Sequence, residues 1–229
     1  MRKFYSGFLL LLTLLFFSTG CGLDTFIYLY PVTQLLNNPL AGSTDNLYNY
    51  YKFRTTDADN TANSADYFKG FTIYYRIYNS TAVQSQDASD ISTGNTNNPA
   101  TILNYIVNVK KYTRMTSSLR IGAYPLIPAA AANRDVTIRL IDYGTTDPAD
   151  FLVDSASYGI PLRTKNDGTA TDSFVFSEIV SSDVDVMYAS TGETDKWYVQ
   201  SYVLAYGYDG SYKPIYSSLF SLGVITIFQ

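Results

Sequence analysis

Histidine is absent from all 229 residues. That removes the usual general base near neutral pH and the commonest zinc ligand. Cys21 is the only thiol. Serine is plentiful, yet no G-x-S-x-G elbow occurs and no histidine could activate a triad. Neither G-x-G-x-x-G nor a P-loop pattern is present. Catalysis would have to rest on paired carboxylates or a Ser–Lys arrangement. The carboxylate groupings are Asp57/Asp59, Asp183/Asp185 and the set Asp142, Asp147 and Asp150. A glycosidase needs two carboxyls at a defined separation, one with a raised pKa, and these spacings supply no such pair. Glu178 alternates with Phe174 and Phe176, so an inward face would bury it. The opposite placement, a surface glutamate with those phenylalanines exposed, is the expectation.

Asp57-Ala58-Asp59-Asn60, followed by Asn63 and Asp66, offers hard oxygen ligands within one polar stretch. An EF-hand loop wants Gly at its sixth place and Glu at its twelfth, where this chain has Ala62 and Phe68. A solvated loop without metal is expected, and no cofactor is implied.

Tyrosine is the abundant functional group, with 22 in the chain. Tyr198, Tyr202, Tyr206 and Tyr208 run along one side of a strand, with Gln200 and Leu204 between them. Tyr74 and Tyr78 flank Arg76 on another. Such rows stack on sugar rings or anchor protein partners when exposed. When covered, they form cross-strand pairs within the fold. The covered arrangement is the expectation, and these six rings are the candidate ligand-binding residues.

The N-terminus reads as a leader. Arg2 and Lys3 precede an apolar run from Phe8 to Phe17, and the small residues Ser18, Thr19 and Gly20 lead to Cys21. This is a signal-peptide layout, with an apolar stretch shorter than the roughly 20 residues a spanning helix needs. A single cysteine in an exported chain forms an intermolecular bond or has another use. Ser18-Thr19-Gly20-Cys21 resembles the lipobox of bacterial lipoproteins, in which the cysteine carries diacylglycerol. Ser18 stands where the strict box has Leu, as in the looser boxes of spirochaetal lipoproteins. The resemblance implies cleavage after residue 20 and a lipid anchor on Cys21. The expected location is the bacterial envelope, the outer membrane favoured, with surface or periplasmic exposure left open. Two acyl chains or more make such an anchor stable.

Loss of the leader removes Arg2 and Lys3 and takes the formal net charge from −4 to −6. An acidic chain is a poor partner for nucleic acid, which is bound through phosphate neutralisation. The linker 21–25 is short. At roughly 3.3–3.6 Å per extended residue it holds the folded part within about 20 Å of the lipid.

The remainder, 26–229, reads as one mainly β domain rich in Tyr, Phe, Ile, Val and Thr. Strands are expected near 48–55, 68–78, 135–143, 173–180, 197–208 and 215–228. In the second, Phe71, Ile73, Tyr75 and Ile77 share a face. Turn residues 209–214 join the last two strands as an antiparallel hairpin. The polar stretches 56–66 and 79–98 read as loops. One helix is expected over about 99–114, with Asn98 as N-cap, Pro99 at its first position, and Ile102, Tyr105, Ile106 and Val109 on one face.

Gly70 to Arg76, Tyr198 to Ala205 with the turn after it, and Pro214 to Ser217 resemble the third, sixth and last strands of a fibronectin type III module. The resemblance implies an immunoglobulin-like antiparallel β-sandwich, enlarged by insertions at about 79–118 and 144–172. With the leader, the whole is similar to spirochaetal lipoproteins, a resemblance that brings no activity with it. The expected role is a non-catalytic contact with another envelope or host protein. Carbohydrate or peptidoglycan binding through the tyrosines is the alternative. A carboxylate hydrolase and a small outer-membrane barrel, the latter suggested by penultimate Phe228, fit the sequence less well.

Overall fold

The computed structural model describes residues 27–97, 101–164 and 172–229. The leader, Cys21, the linker and the cap at Asn98 and Pro99 lie outside the described residues. The chain is mainly β, with antiparallel sheets and a few helices. In chain order the strands are β1 (Gln34–Asn37), β2 (Tyr51–Arg54), β3 (Phe68–Tyr78), β4 (Thr113–Arg114), β5 (Thr116–Ser117), β6 (Ile127–Pro128) and β7 (Asp135–Arg139). They continue with β8 (Asp150–Val153), β9 (Ala156–Ser157), β10 (Pro161–Leu162), β11 (Val186–Met187), β12 (Lys196–Tyr208), β13 (Pro214–Tyr216) and β14 (Phe220–Phe228).

One sheet has the order β1-β2-β7-β8-β9, antiparallel throughout. The other is built on β3 and β12, paired antiparallel along almost their whole lengths. β12 also pairs with β13 and β14, as the expected hairpin requires, while β3 takes β4 and β6 antiparallel and β11 parallel on its other side. The strands form because alternate positions are apolar on a pleat that points them to one face. Phe71, Ile73, Tyr75 and Ile77 of β3 point inward with Val199 and Val203 of β12 and meet Tyr51, Phe53, Val136 and Ile138 of the facing sheet in one buried cluster. The Tyr51 hydroxyl crosses between the sheets and donates to Val199 O at 2.5 Å.

The outer face of the β3–β12 sheet is covered too, by a helical layer. Helix α2 (Thr81–Asn97) and the short Ile102–Asn104 turn, which runs into a π-helical turn over Tyr105–Val109, pack on it. Ile91, Ile102, Ile106 and Tyr112 meet Tyr74, Tyr202 and Leu204 there. Helix α1 (Asp57–Ser64) joins β2 to β3.

Four expectations are corrected. The stretch 79–98, expected as a loop, contains α2. It was hidden because it offers little apolar residue beyond Val83 and Ile91, and polar contacts hold it instead. Gln84 Nε2 donates to Gln200 Oε1 at 2.7 Å, Asn95 exchanges bonds with the backbone of Leu219, and Ser80 Oγ accepts from Val83 N at the helix start. The helix expected over 99–114 reduces to 102–109, where Ile102 and Ile106 are buried as their spacing requires but Val109 is exposed. The polar stretch 56–66 forms α1, because Asp57 finds buried partners at its first position. The strand expected at 173–180 is replaced by a 3-10 turn, Phe176–Glu178, with Phe174 buried and Glu178 exposed.

Gly70 permits β3 to meet β6 closely. Its φ is +137°, and a Cβ there would run into Ile127 O and the ring of Pro125. Gly70→Ala should therefore lower unfolding free energy by more than about 2 kcal/mol in urea titration. Gly210→Ala, where a Cβ meets open space, should stay within about 0.5 kcal/mol.

Candidate functional site

The carboxylates that could do chemistry are engaged in the fold. Asp185 and Asp183 converge on Arg163, which is wholly buried. Arg163 Nε and Nη2 donate to the two oxygens of Asp185 at 2.9 and 2.8 Å, and Nη2 also reaches Asp183 at 2.7 Å. Nη1 donates to Glu178 O. The Tyr75 hydroxyl donates to Asp185 at 2.8 Å while accepting from Thr164 N. Burial works against the charge on Arg163, but the bonds to Asp185 and Asp183 outweigh it and hold the guanidinium pKa above its ordinary value. A carboxylate held bidentate by an arginine is a clasp between the segment after β10 and the segment before β11.

Asp57 and Asp59 separate on α1. Asp57 is buried and accepts from Thr55 Oγ1, Ala130 N and the Arg134 guanidinium, whereas Asp59 is exposed. Asn60 binds Tyr30 and Thr56. The oxygens of the expected polar loop therefore face different partners and do not converge. Asp147 pairs with Arg139, Asp142 accepts from Gly144 N, and Asp150 bonds Ser157. Among the described residues, no group of three or more histidine, cysteine, aspartate or glutamate side chains is placed to hold a metal ion.

The tyrosine rows do lie on the outer face of the β3–β12 sheet, as the alternation places them, but they are not an open stacking platform. Tyr74, Tyr78, Tyr198, Tyr202 and Tyr206 are buried, and only Tyr208 is half-exposed. Tyr78 donates to Asp87 and meets the Tyr112 hydroxyl at 3.1 Å. Tyr198 donates to Glu193. Tyr206 packs on Tyr124, Tyr208 and Tyr216, with ring centroids 4.2 to 5.5 Å apart. Lys110, just after the π-helical turn, reaches Asp87 and Asp90 at 2.7 Å each.

An open candidate site lies elsewhere. An apolar groove of about 340 Å³ opens between the two sheets where β14 ends, lined by Leu140, Ile141, Phe174, Val175, Phe176, Ile227 and Phe228, with Asp142, Ser173, Ser177 and Gln229 among its polar groups. Beside it, Trp197 stands opposite Ile227 and packs on Phe176, and its buried indole N–H has no acceptor among the described residues. The sequence reading missed this groove because residues 140–142, 173–176 and 227–228 meet only after both sheets form. The misread strand at 173–180 hid its central segment.

No family model, no curated protein and no solved structure matches the chain.

Removing one partner of the buried clasp leaves an uncompensated charge. Asp185→Asn should cost about 3–5 kcal/mol in denaturant unfolding, whereas Asp59→Asn should be nearly neutral. The buried phenols make a second prediction. Desolvation raises the pKa of Tyr51, Tyr75, Tyr78, Tyr112 and Tyr202 above the ordinary value of 10.0. Their folded-state pKa exceeds the unfolded one, so their contribution is complete below about pH 10 and is lost as pH rises beyond it. Absorbance at 295 nm should show exposed tyrosines titrating first, and the buried ones in a single step with loss of near-ultraviolet circular dichroism.

Proposed function

We propose that this protein is a lipid-anchored, non-catalytic binding module. It is held to a bacterial membrane through Cys21 and presents the groove between its sheets to another envelope or host protein. The observation that carries the reading is that the two ends of the molecule differ in the required way. The first described residues lie against α1, where Tyr30 N donates to Asn60 Oδ1 and Ser64 Oγ donates to Tyr28 O. At that end Tyr28 and Tyr30 form an exposed edge-to-face pair, and Tyr212, 85% exposed, tops the turn after β12. Tyrosines with one apolar side and one wet tip suit a membrane interface.

The groove is at the opposite end. β3 runs from α1 to Tyr78, and its end pairs with the start of β12, itself opposite the last residues of β14. Large exposed apolar side chains, Tyr48, Val175 and Tyr188, stand at that end as well. The carboxylates that a hydrolase would use are committed to Arg163, Arg134 and Arg139, which supports a binding role. The type III likeness is supported by strand order. β1-β2-β7 in one sheet and β3-β12-β14 in the other follow the A-B-E and C-F-G grouping of such sandwiches. β8, β9, the parallel β11 and the helical layer are additions to that plan.

A photoreactive residue at position 175 of the anchored protein in cells should give a recurrent adduct with one protein. The adduct should be lost with Phe176→Asp and absent when the reactive residue is at position 154, in the turn at the anchor end. Cys21→Ser should release the protein from membranes and abolish fatty-acid labelling without changing its thermal midpoint. Equal adducts from both positions would remove the partner reading, and membrane retention of the Cys21→Ser protein would remove the anchor.

A further inference from the structure

The groove between the sheets meets an open strand edge. β14 pairs with β12 alone. In an antiparallel pair, alternate residues turn their N–H and C=O away from the partner strand. Val224 N donates outward to Pro39 O, and Thr226 gives its N–H to Asn49 Oδ1 and takes Asn49 Nδ2 on its carbonyl. Phe228 is the next member of that set, while Gln229 N turns back to Asp195 O beside β12. The Asn49 amide thus stands where a neighbouring strand would run, and it stops one step short of the end. The outward N–H and C=O of Phe228 have no partner among the described residues.

Phe228 also lines the groove, whose other walls are mostly apolar. Asp142 is the one charged residue of that lining. It is exposed, and no cation of the described residues comes within ion-pair distance of it. Asp195, whose side chain is 63% exposed, follows on the other side, under the Gln229 amide. The cations beside the groove in the strand register are already matched. Arg139 has Asp147 at 2.9 Å and Asp150 opposite it, and Lys196 has Glu193 at 3.3 Å and Asp195 at 3.9 Å. Carboxylates are therefore in surplus around an apolar slot.

We propose that the groove takes an extended segment of the partner protein, in which lysine or arginine flanks large apolar side chains. The segment pairs through its backbone with Phe228. This rests on the reading of the groove as the binding end of the module. Strand addition meets the two open backbone groups, while alternate side chains of the segment enter the apolar slot. The flanking cations meet Asp142 and Asp195, which selects the kind of partner and speeds the encounter. A space of about 340 Å³ holds a few side chains and not a helix, which is about 10–12 Å across with its side chains. An acidic or phosphorylated segment would bring like charge to Asp142.

Two immobilised libraries of short peptides test this with the full-length protein. Both randomise Leu, Ile, Val and Phe at alternate central positions, and they differ only in their ends, Lys in one and Glu in the other. The Lys-ended library should retain the protein and the Glu-ended one should not, with the preference fading as salt is raised. N-methylation of alternate peptide amides should abolish retention. Asp142→Asn combined with Asp195→Asn should weaken it about fivefold, on the scale of two exposed ion pairs. Asp59→Asn combined with Asp66→Asn makes the same change of charge at exposed positions at the α1 end and should leave it unchanged. Equal retention by both libraries, an equal loss in both double variants, or retention of N-methylated peptides overturns the proposal. So does a dimer that Phe176→Asp dissociates, which would assign the groove to a second copy of the chain. A recurrent adduct from position 175 without any Lys preference removes the basic segment and leaves the binding end standing, whereas loss of adduct and preference together removes both.

Discussion

The pairing of β3 with β12 constrains almost everything else in this molecule, because both strands are buried on both faces. A half-exposed antiparallel strand can turn its polar alternate residues to water. Here the inner alternates face the second sheet and the outer alternates face a helical layer. Thr72, Arg76, Gln200 and Ser201 are therefore polar groups inside the protein. Each must find a partner or cost the fold the desolvation of an unmet donor or acceptor. Helix α2 exists largely to answer this demand. It brings Gln84 to Gln200 and Asp87 to Tyr78, and its few apolar side chains could not hold it to the sheet alone.

The same demand explains where the ionisable residues went. Arg163 is fully buried and survives there because two aspartates and a backbone carbonyl take its donors. Asp57 is fully buried because Arg134, Thr55 and the backbone of Ala130 surround it. These clasps are weak evidence of net stability, since a well-packed apolar substitute often does as well. What they do is fix register: one ties the chain after β10 to the approach to β11, the other ties α1 to the segment before β7. A carboxylate used in this way is not available as an acid or a base. The Nε atoms of Arg76 and Arg120 are exceptions, both buried without a hydrogen-bond partner among the described residues.

Legibility in the sequence followed the kind of force involved. β3, β7 and the β12 hairpin were readable because apolar alternation records burial directly, and the inward set of β3 is the one the pattern gave. The helices were misplaced for the opposite reason. Thr81–Asn97 carries almost no apolar stripe, so the periodicity that normally marks a helix is missing, and Asp57–Ser64 reads as a solvated polar loop because Asp57 finds its partners far along the chain, at Ala130 and Arg134. Arg163 lies 20 and 22 residues from Asp183 and Asp185, and no local spacing announces that meeting. The tyrosine rows were correctly set on one sheet face. Their burial depended on a layer whose existence the sequence concealed.

Dimensions connect the fold to the proposed role. A strand of 13 residues such as β12 spans about 40 Å at roughly 3.3 Å per residue. In the proposed anchored arrangement a five-residue linker would reach no more than about 20 Å, so the groove beside Phe174 and Phe228 could not fold back to a bilayer holding Cys21 while Tyr28 and Tyr30 stayed at its surface. On that proposal the groove would face away from the membrane, at a nearly fixed height set by strands that are stiff because they are packed on both sides. A module of that kind would select partners by where it places its binding end, and a closely packed interior serves that purpose better than a mobile one.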